Sequence, residues 1–406
     1  MFPLFQFRAS KKNDTSIGTC CGPKRTKECH QLFLLAARWM TSPESLKQNI
    51  ELTFVLPPEF PKYVPGDSMG IYCPNSKELV AKVMKRIQLE SFGSVSAEAV
   101  DASTIPSHIK NFFPSTIEHA LTWACDLTSL PTKRFLRMLA EYCSDTEEKE
   151  RLLHLSSIKG KELYNIAIET ERPNLADLLE MFPSCKPPAS HVVSCLPGMA
   201  PRYYSFASAP IEGRERQVNV VLSLATSKTP SGKIIRGICT HFLCNLAVCS
   251  GLLDPTGHYT FPETEQGILK ASEPPSVYGF YNKSSFHLPQ SEELLVHPRI
   301  MIGPGTGIAP FIGFLEYLET MKDKEVGESY LFFGCRKRNH DFLYRKELER
   351  FVEETSLNLV TAFSRETENV VYVQHKLLER SNEMAKLILE KEGFIYVCGL
   401  VALLLL

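Results

Sequence analysis

The sequence lacks the features that mark several classes of protein. No stretch approaches the ~20 apolar residues of a membrane-spanning helix, and the terminal apolar run Leu400–Leu406 has only seven residues. The formal charge is −1, from 45 basic and 46 acidic side chains, so the global positive field of a nucleic-acid-binding protein is missing. Neither a membrane nor a nucleic acid is therefore expected as a partner.

Cysteine is present but is not arranged for metal binding. The thirteen cysteines are an odd number without the paired C-x-x-C spacing of zinc sites, and Cys20 and Cys21 are the only close pair. Reduced thiols in a cytoplasmic protein are the expected state. Residues 1–12 are mildly basic but have no long apolar core, which leaves a weak mitochondrial presequence as the alternative.

Hydrophobic patterning divides the chain into segments of different kinds. Residues 1–40 show no clear periodicity. Alternating apolar residues predict half-buried strands within 51–56 and 218–224. Between them, residues 75–195 carry apolar stripes at helical spacing, which predict helices with one face in a core.

Local signals predict where some of these elements begin. Asn75, followed by Glu78 three residues later, is typical of a capping box, and Pro131 suits the first turn of a helix. In the last part of the chain, strands and helices alternate, and one of the helices is expected over 372–391. Four strands are expected there, at Ile300–Ile302, Tyr330–Phe333, Leu359–Phe363 and Phe394–Val397. This alternation predicts a parallel sheet with helices on both faces.

The chain is therefore expected to be a multi-domain protein. An antiparallel β-barrel is interrupted by an α-helical connecting insert and is followed by an α/β domain with a parallel sheet. The expected boundaries are 1–40 for an irregular leader, 41–74 and 196–290 for the two barrel parts, 75–195 for the insert and 291–406 for the α/β domain.

The run Arg202-Tyr203-Tyr204-Ser205 has side chains suited to an anionic, planar cofactor. An arginine can neutralise a pyrophosphate, and a tyrosine can stack on an aromatic ring system. Ser205 could hydrogen-bond the reactive edge of that ring. By itself the run also fits a strand with a surface arginine.

The run Gly237-Ile238-Cys239-Thr240 precedes an apolar segment that is expected to be helical. A glycine turn that leads into a helix presents free backbone N–H groups to a phosphate. A plain helix start capped by threonine is the simpler alternative.

A glycine-rich loop follows the first strand of the α/β domain and contains Gly303, Gly305, Thr306 and Gly307. Its place between a strand and a helix is the context in which such loops bind dinucleotides, although its spacing differs from G-x-G-x-x-G. Cys398 follows the last expected strand and could lie beside a nicotinamide; a buried strand cysteine is the alternative.

Ser364 and Arg365 follow the strand that ends at Phe363. Ligands of α/β sheets bind outside the carboxyl ends of the strands, so this pair suits the 2′-phosphate that distinguishes NADPH from NADH. At the start of the next helix, Tyr372 and Gln374, with Val373 between them, could flank the adenine ribose.

Taken in chain order, the runs at 202–205, 237–240, 303–307, 364–365 and 396–399 resemble the reductase part that the diflavin reductases share, over about residues 45–399. The resemblance implies FAD and NADPH as cofactors, and Ser205 and Cys398 as the residues that support hydride transfer from NADPH to the flavin. It implies that FAD is held by residues 202–205 and 237–240, and NADPH by residues 303–307, 364–365 and 372–374.

Further runs resemble the branch of this family that reactivates methionine synthase. They are residues 182–185, the prolines at 187 and 188, residues 285–289, and the cysteine at 239. The branch implies electron transfer from FAD to FMN on a flavodoxin-like domain or protein, and then to cobalamin on methionine synthase. A reductase part that serves another acceptor, such as a haem protein, is the alternative.

The sequence departs from the family pattern in three places. Residues 1–40 are too short for the flavodoxin-like domain, so FMN is expected only in a longer protein or a partner. Val370 and Val371 stand where the family has a lysine shortly before Tyr372, which removes one charge from the 2′-phosphate site. The run after Gly399 lacks the family's aspartate and terminal aromatic. A second alternative is therefore a truncated, non-catalytic product that binds FAD but turns over poorly.

Overall fold

The computed structural model describes residues 29–88, 107–110, 116–258, 274–289, 291–321, 326–355 and 357–399. These residues group into two compact units. One comprises Tyr72–Arg202 and Ala225–Phe242, and the other comprises His30–Ile71, Tyr203–Leu224 and the described part of 243–406. The helical insert therefore groups with the segment 225–242, whereas the barrel strands and the α/β domain fall in one unit.

A six-stranded sheet corresponds to the predicted barrel. Its strands are β1 (His30–Trp39), β2 (Asn49–Val55), β3 (Ser68–Tyr72), β4 (Arg202–Ser205), β5 (Gln217–Ser223) and β8 (Ser276–Asn282). Their spatial order is β4-β3-β8-β1-β2-β5. Strand β1 pairs antiparallel with β2 and β8, and β2 pairs antiparallel with β5. The insert thus separates β3 from β4 in sequence, but the two strands are neighbours in the sheet.

One prediction for this sheet is wrong, and a second fails at a single residue. Strand β1 lies inside residues 1–40, which were expected to form an irregular leader. The predicted alternation holds from Leu52 to Leu56, because Leu52, Phe54 and Leu56 are buried whereas Thr53 and Val55 are only partly buried, but Glu51 is buried as well. Glu51, on the face expected to be polar, accepts hydrogen bonds from Arg38 Nε (2.5 Å) and from the Tyr344 hydroxyl.

The insert is helical throughout its described residues, apart from turns and isolated bridges. Its helices are α1 (Lys77–Arg86), α2 (Ser107–Lys110), α3 (Ile117–His119), α4 (Lys133–Ala140), α5 (Thr146–Ser156), α6 (Lys161–Tyr164), α7 (Leu175–Met181) and α8 (Ala189–Cys195), with π-helical turns at Ala120–Ala124 and Asn165–Thr170. The predicted stripes form its core: Val80 and Val83 of α1 are buried with Leu178 and Leu179 of α7.

Two predicted helix starts in the insert are wrong. The N-cap of α1 is Ser76, whose side chain accepts from Leu79 N. Asn75 is buried and donates instead to Leu121 O (2.7 Å) and Cys125 O (2.6 Å). Helix α4 is capped by Thr132, so Pro131 lies outside its first turn.

A small hairpin of β6 (Thr226–Lys228) and β7 (Ile234–Arg236) leads into helix α9 (Ile238–Cys249). Polar contacts join it to the insert: Lys233 forms an ion pair with Asp177, and the backbone N–H of Ser231 donates to Glu171 (3.2 Å). These contacts explain why residues 225–242 group with the insert.

The α/β domain contains the predicted parallel sheet. Its elements are α10 (Ser291–Val296), β9 (Arg299–Ile302), a 3-10 turn (Gly305–Ile308), α11 (Ala309–Glu319), β10 (Ser329–Cys335), α12 (Arg338–Asp341), α13 (Arg345–Glu354), β11 (Leu357–Phe363), α14 (Val373–Glu379), α15 (Ser381–Leu389) and β12 (Phe394–Val397). The strand order is β11-β10-β9-β12, and every pair is parallel. No helix in the described ranges is long and apolar enough to cross a membrane.

Successive residues of the strands point into two cores, one on each face of the sheet. Met301 packs in the core that includes α11 and α13, whereas Ile300 and Ile302 pack in the core that includes α14 and α15. Strand β9 is buried along its whole length, as expected for a parallel strand covered on both sides. The helix expected over 372–391 is two helices, α14 and α15, interrupted at Arg380.

Candidate functional site

The parallel sheet brings several predicted residues to one edge. In a parallel sheet all carboxyl ends lie on the same side, so the residues after β9, β10, β11 and β12 line a common edge. Backbone hydrogen bonds extend this alignment beyond the strands: Cys398 N donates to Ile302 O (3.0 Å), and Ser364 N donates to Cys335 O (2.9 Å). Runs that are far apart in sequence thus meet at one edge.

The glycine loop after β9 packs directly under the residues after β12. Gly307 is buried, and a Cβ atom at this position would lie 2.2 Å from Cys398 O. Gly305 has φ +58°, a conformation that side-chain-bearing residues rarely adopt, and has open space around its Cα. The loop therefore offers bare backbone to a ligand on one side and holds the Cys398 backbone on the other.

Cys398 is partly exposed, and burial raises the pKa of its thiol. The thiol is therefore protonated at neutral pH. A protonated thiol can donate a weak hydrogen bond, but it is a poor nucleophile. This state agrees with a residue that orients a bound ring and does not attack it.

Ser364 and Arg365 follow β11 at the same edge, as predicted. Ser364 is buried, and Arg365 is exposed with its Nη1 donating to Ser364 O (2.6 Å). Arg365 N donates to Arg336 O (2.9 Å), so the turn after β11 lies beside the residues that follow β10. The Arg365 guanidinium has no ion-pair partner among residues 29–399 as far as they are described, so it is available to an anion.

A second guanidinium, which sequence reasoning missed, lies close to this pair. Arg338, at the start of α12, is exposed, and its guanidinium carbon lies 4.4 Å from the centre of the Phe363 ring. Its backbone N–H donates to Glu366 (2.7 Å), which anchors α12 beside the turn after β11. The sequence contains the basic run 336–338, but only the pairing of β10 with β11 shows where it lies.

Tyr372, Val373 and Gln374 form the start of α14, and Tyr372 is its N-cap. Val373 is buried and packs on Gly334 of β10, where a Cβ atom would lie 2.8 Å from Val373 Cγ1. The side-chain oxygen of Gln374 is buried without a hydrogen-bond donor among the described residues. A buried acceptor without a partner fits a site whose donor, such as a ribose hydroxyl, is supplied by a ligand.

In the unit that contains the insert, residues from both expected FAD runs surround Cys73. The Cys239 thiol donates to Cys73, and this hydrogen bond, followed by the positive charge of Arg202, lowers the pKa of the Cys73 thiol against the opposing effect of burial. The structure therefore brings Arg202 and Cys239 together around a residue that the sequence did not single out.

The turn at Gly237 is held by its own backbone and by the side chain of Thr240. Gly237 N donates to Ala225 O (2.7 Å), and Ala225 N donates to Thr240 Oγ1 (3.2 Å). Helix α9 begins at Ile238 and has no acidic residue in its first turn, so its N-terminal N–H groups and dipole remain favourable to an anion. Burial lowers the pKa of His241 to about 4, so this neighbour adds no charge at neutral pH.

The remaining residues of the first run continue along β4 in the other unit. Tyr203 is 57% exposed, and its ring meets the edge of Phe280 with centroids 5.8 Å apart. An aromatic face this exposed on a strand is available for stacking on a planar ligand. Tyr204 and Ser205 are partly buried along the same strand.

Comparison with known proteins agrees with this architecture. The family described as "FAD binding domain" matches residues 23–242, and the family described as "Oxidoreductase NAD-binding domain" matches residues 301–404. The first match spans more than half of the chain. The predicted fold class and the two cofactor-binding domains are thus confirmed.

Similar proteins of known name indicate which family of flavoprotein reductases the chain resembles. The chain is 38% identical to NADPH–cytochrome P450 reductase of Drosophila melanogaster over 83% of this chain and 46% of that protein. It is 36% identical to methionine synthase reductase of Homo sapiens, again over 83% of this chain and over 49% of that protein. The chain belongs to the diflavin reductase family and carries its FAD-binding and NAD-binding domains. It spans about half the length of the curated relatives that it matches.

Proposed function

We propose that this chain takes electrons from NADPH onto FAD and passes them to FMN on a flavodoxin-like domain or protein. The observation that carries the proposal is the common edge of the parallel sheet, where the loop 303–307, Cys398 and the Ser364–Arg365 pair lie together. This edge offers bare backbone for a diphosphate and a guanidinium for a 2′-phosphate. FAD, when bound, accepts a hydride and releases electrons singly.

The roles of the chain's own residues follow from their chemistry. Arg202 and the first turn of α9 neutralise the FAD diphosphate, and Tyr203 stacks on the ring system. Ser205 donates a hydrogen bond to the reactive edge of that ring. Cys398, protonated and fixed by the glycine loop, orients the nicotinamide. Tyr372, Val373 and Gln374 hold the adenosine part of NADPH.

We further propose methionine synthase, with its cobalamin, as the final acceptor. The support is the set of runs at 182–185 and 285–289 that resemble this branch, together with the identity to methionine synthase reductases. A haem protein is the second candidate, because the identity to NADPH–cytochrome P450 reductase of Drosophila melanogaster, 38%, is close to the 36% identity to human methionine synthase reductase. Adding a flavodoxin-like FMN protein and comparing reduction of methionine synthase cobalamin with reduction of a cytochrome P450 distinguishes the two acceptors.

The cofactor content tests the first proposal directly. The purified protein is expected to hold FAD noncovalently and no FMN. Acid-released flavin separated by liquid chromatography gives the identity and the stoichiometry. FMN in stoichiometric amount, or a protein that takes up no FAD, contradicts the proposal.

The choice of NADPH over NADH is expected to depend mainly on Arg365. Arg365→Ala should weaken binding of 2′,5′-ADP by about 2–3 kcal/mol, because a charge-assisted hydrogen bond to the phosphate is lost, and should leave binding of 5′-ADP nearly unchanged. Arg338→Gln should also weaken binding of 2′,5′-ADP, but by less. The Arg338 guanidinium is expected to supply part of the positive charge that is lost where Val370 and Val371 replace the family's lysine. Titration calorimetry measures both.

A matched control for these variants is Arg345→Gln, which removes one exposed positive charge from α13, where it is paired with Glu349. This variant should bind both nucleotides as the parent protein does. Equal losses for 2′,5′-ADP and 5′-ADP in Arg365→Ala show that Arg365 does not read the 2′-phosphate.

A further inference from the structure

Two cysteines of the insert face each other across a short antiparallel bridge. Cys143 lies in the turn after α4, Cys185 lies in the turn after α7, and the two residues are bridge partners. Lys186 N donates to Tyr142 O (3.1 Å), one position out from the pair on each segment. This pattern makes Cys143 and Cys185 a pair without direct backbone hydrogen bonds, the type in which the side chains approach most closely.

The two sulfur atoms lie beside the same acceptor. Cys143 Sγ donates to Leu139 O at 3.7 Å, and Cys185 Sγ donates to the same oxygen at 3.3 Å. The Cys185 thiol also acts as a donor toward the Cys143 sulfur. Closely apposed partners of this kind have Cα atoms about 4.5 Å apart, inside the range that a disulfide spans. A bond between the sulfurs therefore needs rotation of the side chains and little movement of the backbone.

The two thiols differ in access. Cys185 is fully buried, whereas Cys143 is partly exposed. An oxidant in solution therefore reaches Cys143 first, and Cys185 is positioned as the resolving thiol. Burial raises the pKa of both thiols, so both are protonated at neutral pH and react slowly unless the pH is raised.

We propose that Cys143 and Cys185 form a reversible disulfide when the protein meets a hydroperoxide. The Cys143 sulfur attacks the peroxide O–O bond and becomes a sulfenic acid, and the peroxide leaves as an alcohol or water. Cys185 then attacks that sulfur and water leaves. In total, two thiols and one hydroperoxide give one disulfide, one alcohol or water, and one further water. A dithiol reductant reverses the reaction by returning two electrons and two protons.

The disulfide is expected to stabilise the folded insert. It joins the turn between α4 and α5 to the turn between α7 and α8, and it closes a loop that contains α5, α6 and α7. Cross-linking a loop of this size restricts the unfolded chain and favours the folded insert. The inference concerns the insert alone and does not depend on the proposed electron transfer.

The test uses the full chain treated with hydrogen peroxide at pH 7 and pH 9. Non-reducing peptide mass spectrometry is expected to find a Cys143–Cys185 cross-link that forms faster at pH 9 and disappears with dithiothreitol. The melting temperature of the oxidised protein should rise by roughly 5 °C. Cys143→Ser should show neither change, and Cys335→Ser, which alters a partly exposed cysteine elsewhere, should behave like the parent protein.

Two outcomes overturn the proposal. One is oxidation of Cys143 to sulfinic acid without any cross-link to Cys185. The other is a cross-link that joins Cys143 to a different cysteine. Because the cross-link is detected in the protein without substitutions, the result does not depend on whether a variant folds.

Discussion

Gly307→Ala is expected to slow reduction of the bound flavin by NADPH by about 100-fold or more. The added Cβ atom would lie 2.2 Å from Cys398 O and 2.9 Å from Gly399 Cα, and both are backbone atoms that cannot rotate away. The backbone after β12 must therefore shift by about 1 Å. A misplacement of that size in a reacting pair can cost 10²-fold in rate. Stopped-flow absorbance of the flavin at saturating NADPH measures the effect.

The control for this variant is Gly251→Ala. Gly251 has a positive φ (+70°), but nothing lies within 4 Å of an added Cβ atom, so the substitution is expected to carry only a modest conformational cost and no backbone clash. Circular dichroism establishes that both variants are folded. A Gly307→Ala protein that is folded and reduced at the parent rate shows that Cys398 does not need its present position.

Asp67→Ala is expected to destabilise the unit that contains the barrel and the α/β domain by about 3 kcal/mol. The Asp67 carboxylate is fully buried and accepts from Tyr281 OH (2.6 Å), His287 Nε2 (2.8 Å) and Ser284 N (2.9 Å), as well as from the backbone N–H of Val64 (3.0 Å). Alanine leaves these donors, most of them partly buried, without the carboxylate that they bind, and an unsatisfied donor costs more than the hydrogen bond itself contributes. Urea unfolding measures the loss.

The same carboxylate predicts a dependence on pH. Burial alone would raise the pKa of Asp67, but the donors, led by Ser284 N and the Tyr281 hydroxyl, hold it below its ordinary value of 3.8. The stabilisation is therefore complete above pH 4 or so, and is lost as the pH falls through the lower pKa of the folded state. The stability difference between the parent protein and Asp67→Asn should shrink below about pH 4. A difference that is constant from pH 6 to pH 3 is incompatible with this account.

The parallel sheet could be predicted from sequence because its signals are local. Its strands are short apolar runs bounded by turns, and the two central strands, β9 and β10, are largely buried and need no alternation. The common edge follows from topology alone, which is why the glycine loop, Ser364 and Cys398 could be placed at one site. The individual contacts across that edge could not be predicted, because Gly307 and Cys398 are far apart in sequence and come into contact only when the sheet forms.

Strand β1 was missed because its pattern is irregular. Only Leu32 and Leu34 are buried, and a β-bulge between Leu34 and Ala36 shifts the side chains beyond it to the other face. A bulge breaks the alternation on which strand prediction depends. Pairing with β8, which comes late in the sequence, supplies what the local pattern lacks.

Buried polar residues were misjudged for a related reason. From the sequence, Glu51 is expected on the solvent-facing side of a strand, and Asn75 is expected to be a helix N-cap. Each has partners distant in sequence: Glu51 accepts from the Tyr344 hydroxyl, and the side-chain N–H of Asn75 donates to Cys125 O. Local patterning cannot reveal such partners, and for the same reason it did not show Arg338 beside Phe363.

The order of strands in the six-stranded sheet has a consequence for how the protein is made. Strand β8 lies between β3 and β1, and Phe33 of β1 pairs with Ser276 of β8. On the ribosome, the first three strands emerge long before this central strand, by on the order of tens of seconds at typical translation rates. Until then both inner edges of the sheet carry unpaired backbone groups, which are sites of aggregation. Nascent chains of this protein are therefore expected to need chaperone protection until residue 282 has left the exit tunnel.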